Sequence, residues 1–368
     1  MRIDYRIALT DITGSSIMSD VLGTTGVLAE AASVVLTESL DGPATFEFSL
    51  PVDDANVTRA NFMPSARNIE VYREENLVFR GRLWTADLQG WSVRFSASDL
   101  SSLFEKWLIG GTGVAPDIDQ VFLATDQYTL ARSLLAMLQA RPNGDSGITP
   151  ADADLSGVLR DYAVCLEDAK TLTDVLDEFA GMRDGFDYWV TPDKLFHLSA
   201  FRGEAMGVTI HTEPLAGAVW DLTYQLDGSE VVSQVSGLGP QAECTTPALY
   251  VTEDAPTIAS SGLLQSRTST DQADDDIIQG LADEELAMRH LVRWQPVVTM
   301  PEVLDPYPWS AYQPGNRLTL TAGRGPAGGF GNFSELFRIA TKTTTVYPLG
   351  IEVVSLALDN RTAPEGRA

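Results

Sequence analysis

The chain has 368 residues and is 44% hydrophobic, which is long enough to divide into two or more cores and too apolar for a disordered polymer. Asp and Glu number 51 against 25 Lys and Arg, a formal net charge of -26. Such a surface repels phosphate backbones and argues against specific nucleic-acid binding. It is compatible with a duct through which DNA slides without sticking, or with solubility alone.

Only Cys165 and Cys244 are present, far apart and in no CxxC pair, so a disulfide framework is not expected and folding in a reducing cytoplasm is. The first ten residues alternate like a strand and lack the apolar run of a signal peptide. No stretch approaches the roughly 20 apolar residues of a membrane span. A place outside the cell is therefore expected only as part of a particle.

Residues 1–98 read as short strands. Val34 and Leu36, then Phe46, Phe48 and Leu50, alternate around Asp41-Gly42-Pro43. Ile69 and Val71, then Leu77-Val78-Phe79 and Leu83, then Trp91, Val93 and Phe95 continue the series. Five or six such strands suggest a small barrel or sandwich. Residues 99–205 read as a mixed α/β insert. Leu100, Leu103, Phe104 and Trp107 have helical spacing behind a cap at Ser98 or Asp99. Leu130, Leu134, Met137 and Leu138 share a second helical face, and Leu172, Val175, Leu176 and Phe179 a third that Gly181 ends. A hairpin follows, with Phe186, Tyr188 and Val190 on one arm and Phe196 and Leu198 on the other. Residues 206–368 read as a second β-barrel domain with an embedded helix near 274–292, acidic at its start and basic at its end. The fold class expected is mainly β with an α+β insert and two small β-barrel domains.

The two β regions echo each other. Asn68-Ile69-Glu70-Val71, Val78-Phe79-Arg80-Gly81, a turn at Gly90 and Val93-Arg94-Phe95 make up the first. Asn316-Arg317-Leu318-Thr319-Leu320, Leu336-Phe337-Arg338-Ile339, Pro348-Leu349-Gly350 and Ile351-Glu352-Val353 make up the second. The alternative is that any two β-meanders look alike at this level. A duplicated β unit has a consequence for symmetry, because three such chains present six similar units in one ring.

In order along the chain, several segments resemble the tail-hub or tail-associated minor tail proteins of siphophages and the baseplate hubs of contractile tails. They are Asn68-Ile69-Glu70-Val71-Tyr72, Leu77-Val78-Phe79-Arg80-Gly81-Arg82, Ala97-Ser98-Asp99-Leu100 with Leu103-Phe104, Leu172-Thr173-Asp174-Val175-Leu176-Asp177-Glu178-Phe179 and Gly185-Phe186-Asp187-Tyr188. Tyr312-Gln313-Pro314-Gly315-Asn316-Arg317-Leu318 and Gly350-Ile351-Glu352-Val353-Val354-Ser355-Leu356-Ala357-Leu358 complete the series. The resemblance implies a homotrimeric structural hub in a virion tail tip, assembled in the host cytoplasm. Its implied partners are the distal tail protein or tail tube ring, the tape-measure protein and a central fibre, spike or receptor-binding protein, with DNA passing through unbound. It implies no cofactor and no enzyme activity in this chain. Gene-transfer particles and injection systems use similar hubs.

Motifs of enzyme chemistry read more simply as loops. Gly144-Asp145-Ser146-Gly147 matches a protease string, but His197, His211 and His290 all follow Ser146 and the neighbours are turn formers. Gly323-Arg324-Gly325-Pro326-Ala327-Gly328 matches GxGxxG, yet a strand rather than a helix is expected after it. Neither zinc nor calcium spacing is present, with Asp152, Asp154 and residues 274–276 the candidates tested for calcium. Tyr307, Trp309 and Tyr312, with Phe330 and Phe333, form the candidate interface or surface-recognition loop. The alternatives to a hub are a carbohydrate or cell-surface binding module and, less favoured, a glycan hydrolase built on two of the carboxylates.

Overall fold

The structure is a computed structural model and describes residues 5–19, 34–55, 57–109, 120–164, 170–182, 184–212, 221–239, 248–270, 275–301, 311–323, 332–347 and 351–360. The first β region contains β1 (Tyr5–Asp11), β2 (Ser16–Met18), β3 (Val34–Ser39), β4 (Thr45–Pro51), β5 (Arg67–Arg73), β6 (Asn76–Gln89) and β7 (Ser92–Asp99). The period of two in the sequence becomes a period of two in burial. Phe46, Phe48 and Leu50 of β4 point into the core while their neighbours stay partly exposed. Phe48 and Phe62 pack on Phe95 with ring centroids 5.0 and 4.4 Å away, respectively.

The insert contains a 3-10 turn (Leu100–Lys106), β8 (Gln120–Asp126), α1 (Gln127–Gln139), β9 (Thr149–Pro150), β10 (Leu159–Val164), α2 (Leu172–Ala180), β11 (Asp187–Val190) and β12 (Leu195–Ser199). Each helical segment starts where the sequence offers a cap. Asp99 accepts from the Ser101 amide, Asp126 from those of Tyr128 and Thr129, and Thr171 forms a capping box with Asp174. The segment after Asp99 winds as 3-10 rather than α. That tighter winding still brings Leu100, Leu103 and Phe104 into a core of their own with the faces of α1 and α2.

The second β region contains β13 (Ala205–His211), β14 (Asp221–Asp227), β15 (Gln234–Leu238), β16 (Leu249–Glu253), α3 (Ala255–Ser261), β17 (Gln265–Ser269), α4 (Asp275–Arg289), β18 (Arg293–Pro301), β19 (Arg317–Gly323), β20 (Asn332–Tyr347) and β21 (Ile351–Asp359). The helix expected near 274–292 is α4; Asp274 lies outside the described residues, and Leu291 and Val292 are exposed beyond its end. Sequence periodicity left the segment before it as strands and loops. In fact β16, β15 and β17 form a separate small sheet in that order. Helix α4 lies against this sheet so closely that a Cβ on Gly237 would meet the Ile278 carbonyl oxygen at 2.7 Å.

The two main β regions share one 13-stranded sheet. Its first six-strand unit runs β1-β5-β6-β7-β4-β3, and its second runs β13-β19-β20-β21-β18-β14. Taken in chain order the two units have the same neighbours throughout, so the echo in sequence is a duplicated strand order. They differ in that β1 runs antiparallel to β5 while β13 runs parallel to β19. The long strands β6 and β20 each carry a bulge, at Trp84 and at Ala340, where pairing shifts from Leu83 to Thr85 and from Ile339 to Thr341.

The two units expected as separate small barrels are joined edge to edge. Residues 34–39 of β3 pair antiparallel with residues 341–346 of β20, and buried side chains of both units form one continuous cluster. Lys342 and Glu38 face each other across this joint at 3.0 Å, and the Lys342 side chain is fully buried. A second tie runs from β5 and β1 to β21. Arg73 grips Glu352 with two nitrogens at 2.9 and 3.0 Å, and the Tyr5 hydroxyl donates to the same carboxylate.

Removing one partner of a buried ion pair strands the other charge, whereas replacing both with apolar groups does not. Glu38→Ala is expected to lower unfolding stability by about 3–5 kcal/mol, and Glu38→Leu with Lys342→Met to recover most of that loss. Urea unfolding of the two variants beside the parent checks this. Equal loss in both would mean that the pair does not act through charge burial.

Candidate functional site

Where the joined sheet meets the insert, a cleft of ≈ 790 Å³ opens, with Asp41, Asp99, Asp177, Asp187, Arg202 and Arg338 among its lining residues. Its arginines hold architecture together. Arg338 of β20 ion-pairs with Asp187 of β11 and donates to the Arg202 carbonyl at 3.0 Å. Its guanidinium lies 4.0 Å from the centre of the Phe201 ring. The Arg202 amide donates to the same Asp187 carboxylate at 2.7 Å, and its side chain reaches the Ser39 carbonyl at 3.2 Å. One network thus ties the second β unit, the insert hairpin and the end of β3. Two glycines permit it. Gly203 and Gly315, both at positive φ, sit so close that a Cβ on either would come within 2.2 Å of the other segment's backbone.

Two further carboxylates of the cleft are also engaged. Asp99 accepts from the Ala44 and Ser101 amides at 2.7 and 2.8 Å, and Asp177 accepts from the Tyr188 hydroxyl at 2.7 Å. Asp99 borders the cavity and is otherwise enclosed by protein. Burial outweighs its hydrogen bonds and pushes its pKa up to about 6. Burial raises Asp41 and Asp177 in the same direction.

The outer surface carries apolar side chains at two related places. The β6–β7 turn exposes Leu88 and Trp91, at 68% and 88% of their full area. The ends of β20 and β21, which correspond in the second unit, expose Tyr347 and Ile351. The ribbon of β8 and β10 exposes Val121, Leu123 and Leu159.

Of the expected recognition residues, Tyr307, Trp309 and Phe330 lie outside the described residues. Tyr312 is buried in the main core, so its ring is not available to a surface. Phe333 is half-buried in an aromatic group with Tyr224, Trp294 and Phe337. The structure therefore places Tyr312 and Phe333 in packing, and nothing in the period of the sequence distinguished these aromatics from surface ones.

The Ser146 hydroxyl donates to Gln139 rather than to a histidine, and Asp145 accepts from the Gly147 amide in a turn. The ring of His197 stacks on Trp189 at 4.9 Å. Gly323 and Asn332, on either side of the GxGxxG string, pair as the ends of antiparallel β19 and β20, so the string joins two strands. Arg132 contacts the backbone oxygens of Asp152 and Asp154. Among the described residues no three His, Cys, Asp or Glu side chains converge as metal ligands.

The raised Asp99 pKa has a consequence for stability. The folded chain holds this proton more tightly than the unfolded chain, so the contribution is full below about pH 4 and is lost as pH rises through about 6. Asp41 and Asp177 act in the same sense. The urea midpoint is therefore expected to fall between pH 4 and pH 7, and to fall less in Asp99→Asn. An identical slope in the two proteins would remove Asp99 as a cause.

No family model matches the sequence, and no curated protein matches it in sequence. Solved structures do match in shape. The tail protein from Neisseria meningitidis MC58 aligns with a TM-score of 0.65 at 13% identity, covering 98% of both chains. The 43 kDa tail protein of prophage MuSo2 from Shewanella oneidensis aligns with a TM-score of 0.64 at 12% identity, covering 98% of this chain and 100% of that one. The prophage tail protein gp18 from Listeria monocytogenes EGD-e aligns with a TM-score of 0.59 at 12% identity, covering 97% and 95%. Over nearly its whole length, the chain has the fold of phage and prophage tail proteins.

Proposed function

We propose that this protein is a non-enzymatic structural hub of a phage or phage-like tail tip. Three copies close a ring of six equivalent β units. That ring joins the sixfold tail tube or distal tail ring to a threefold central fibre or spike, and DNA leaves through its middle. The observation that carries this reading is the duplicated strand order within one sheet, which lets a threefold assembly present sixfold-like surfaces. The fold likeness to tail proteins supports it over nearly the full chain. The charge of -26 suits a channel wall that phosphate slides past without adhering.

The remaining partners follow from this position: the tape-measure protein above, and receptor-binding or spike proteins below. Asp99, Asp177 and Asp187 of the cleft are bound to amides, a tyrosine and an arginine that hold the fold, which favours a structural role for them over glycan hydrolysis.

The purified chain is expected to have a solution mass three times that of one polypeptide by light scattering on a sizing column. It is also expected to pass over immobilised duplex DNA without retention at physiological salt. A strict monomer or dimer would overturn the trimeric ring, and salt-sensitive DNA retention would overturn the inert channel.

A further inference from the structure

Resting on the trimeric reading above, we propose that adjacent copies join by strand addition. In this joint β14 of one copy pairs antiparallel with the outer half of β6 in the next, in the register that β3 and β20 already use within one chain.

The argument starts from the duplication. In the second unit, β20 gives its first half to β19 and, beyond the bulge at Ala340, its second half to β3 of the other unit. In the first unit, β6 gives its first half to β5. Beyond the bulge at Trp84, residues 85–89 pair with β7 on one side, and every one of these residues is exposed. The place that β3 fills on β20 has its counterpart along residues 85–89 of β6. The counterpart of β3 is β14, which among the described residues is an end strand of the sheet. Within one chain β14 belongs to the far end of the path, so the strand that docks on β6 comes from another copy. Sheet edges with exposed apolar side chains are surfaces that proteins cover.

The register can be transferred residue by residue. Counting from the two bulges, Thr85 corresponds to Thr341 and Leu88 to Thr344. The shared pairing of β7 with β4 and of β21 with β18 sets Phe48 against Val298 and Pro51 against Pro301. Through those strands Leu36 corresponds to Tyr224 and Ser39 to Asp227. The observed pairs Leu36 with Thr344 and Ser39 with Thr341 then predict Tyr224 opposite Leu88 and Asp227 opposite Thr85.

Side-chain chemistry agrees with this register along its whole length. On the core-facing side it sets Leu222 opposite Gly90, Tyr224 opposite Leu88 and Leu226 opposite Ala86. On the other side it sets Thr223 opposite Gln89, Gln225 opposite Asp87 and Asp227 opposite Thr85. Apolar meets apolar and polar meets polar at each step, and a slip of one residue would oppose the two classes. The joint would cover Leu88, at 68% exposure a large apolar side chain in water, as the intrachain joint covers the corresponding Thr344 at 1%. The two joints are also told apart by charge. Docking β14 on β20 would put Leu226 against buried Lys342, and docking β3 on β6 would put Glu38 against Ala86. Both wrong pairings separate Glu38 from Lys342 and set a charged side chain against an apolar one.

The test places cysteines across the joint in the full chain, with Cys165→Ser and Cys244→Ser as background. Gln225→Cys with Asp87→Cys puts two thiols directly opposite, at the ~5 Å Cα separation of an antiparallel pair, which suits a disulfide. Mild oxidation is expected to yield covalent dimers and trimers from this double variant, and neither from the single variants. Gln225→Cys with Gln89→Cys, two residues out of register, is expected to crosslink at least tenfold less. Leu88→Lys, altering a side chain that is exposed in the single chain, is expected to shift the light-scattering mass from trimer to monomer with the circular dichroism spectrum unchanged. A trimer that the matched pair fails to capture, or that survives Leu88→Lys, overturns the strand joint and leaves the trimeric ring standing. A chain monomeric at every concentration, with no crosslink, overturns both.

Discussion

The ladder between β3 and β20 joins two halves of the chain that lie about 300 positions apart, and it places a lysine and a glutamate in the core to do so. Buried charges are tolerated only when paired. A one-residue slip of this ladder would carry Lys342 away from Glu38 and turn every side chain of one strand to the opposite face. The pair therefore acts on register more than on net stability. Once the register is set, Val34, Leu36, Thr344 and Val346 fall on the core side together, and the two β units share one apolar cluster. The Arg73–Glu352–Tyr5 contact repeats the same principle at a second point of the same seam.

The insert is fixed to this frame from one side by Arg338. From the first unit, Arg80 of β6 pairs with Glu70 and reaches the Pro192 carbonyl in the turn of the insert hairpin. One arginine from each unit thus holds the insert hairpin, Arg338 through Asp187 at its start and Arg80 through its turn. The close approach of Gly203 to Gly315, open only to glycine, lies beside the Arg202 carbonyl that Arg338 reaches.

Two consequences of duplication meet at the edges. Within the chain, one bent strand is completed by a strand from the other unit. Between chains, the same geometry leaves a bent strand and an end strand with complementary side chains. Where the inner joint uses an ion pair, the outer one has Leu226 and Ala86, so exchanging the two would set a charged side chain against an apolar one. A chain that is strongly acidic overall would otherwise resist self-association by repulsion, and apolar pairing along a strand edge offsets that repulsion locally.

Much of this was legible in the order of residues. Alternation at Phe46, Phe48 and Leu50 determined a half-buried strand, and the cap at Asp99 determined where a helical segment begins, because these are local properties of a few neighbouring residues. The repeat of short strands that suggested the echo was visible for the same reason, although the strand register sets Arg82 rather than Arg80 at the position of Arg338. The tertiary structure alone decided that the two β units share one sheet, since the partner of Lys342 lies at Glu38 and no local pattern encodes a contact over that separation. It alone placed Tyr312 inside the core, because an aromatic beside prolines has the same sequence signature whether it packs inward or outward. It also decided that β15, β16 and β17 pair as a small sheet of their own against α4, because which short strands pair with one another is not a local property.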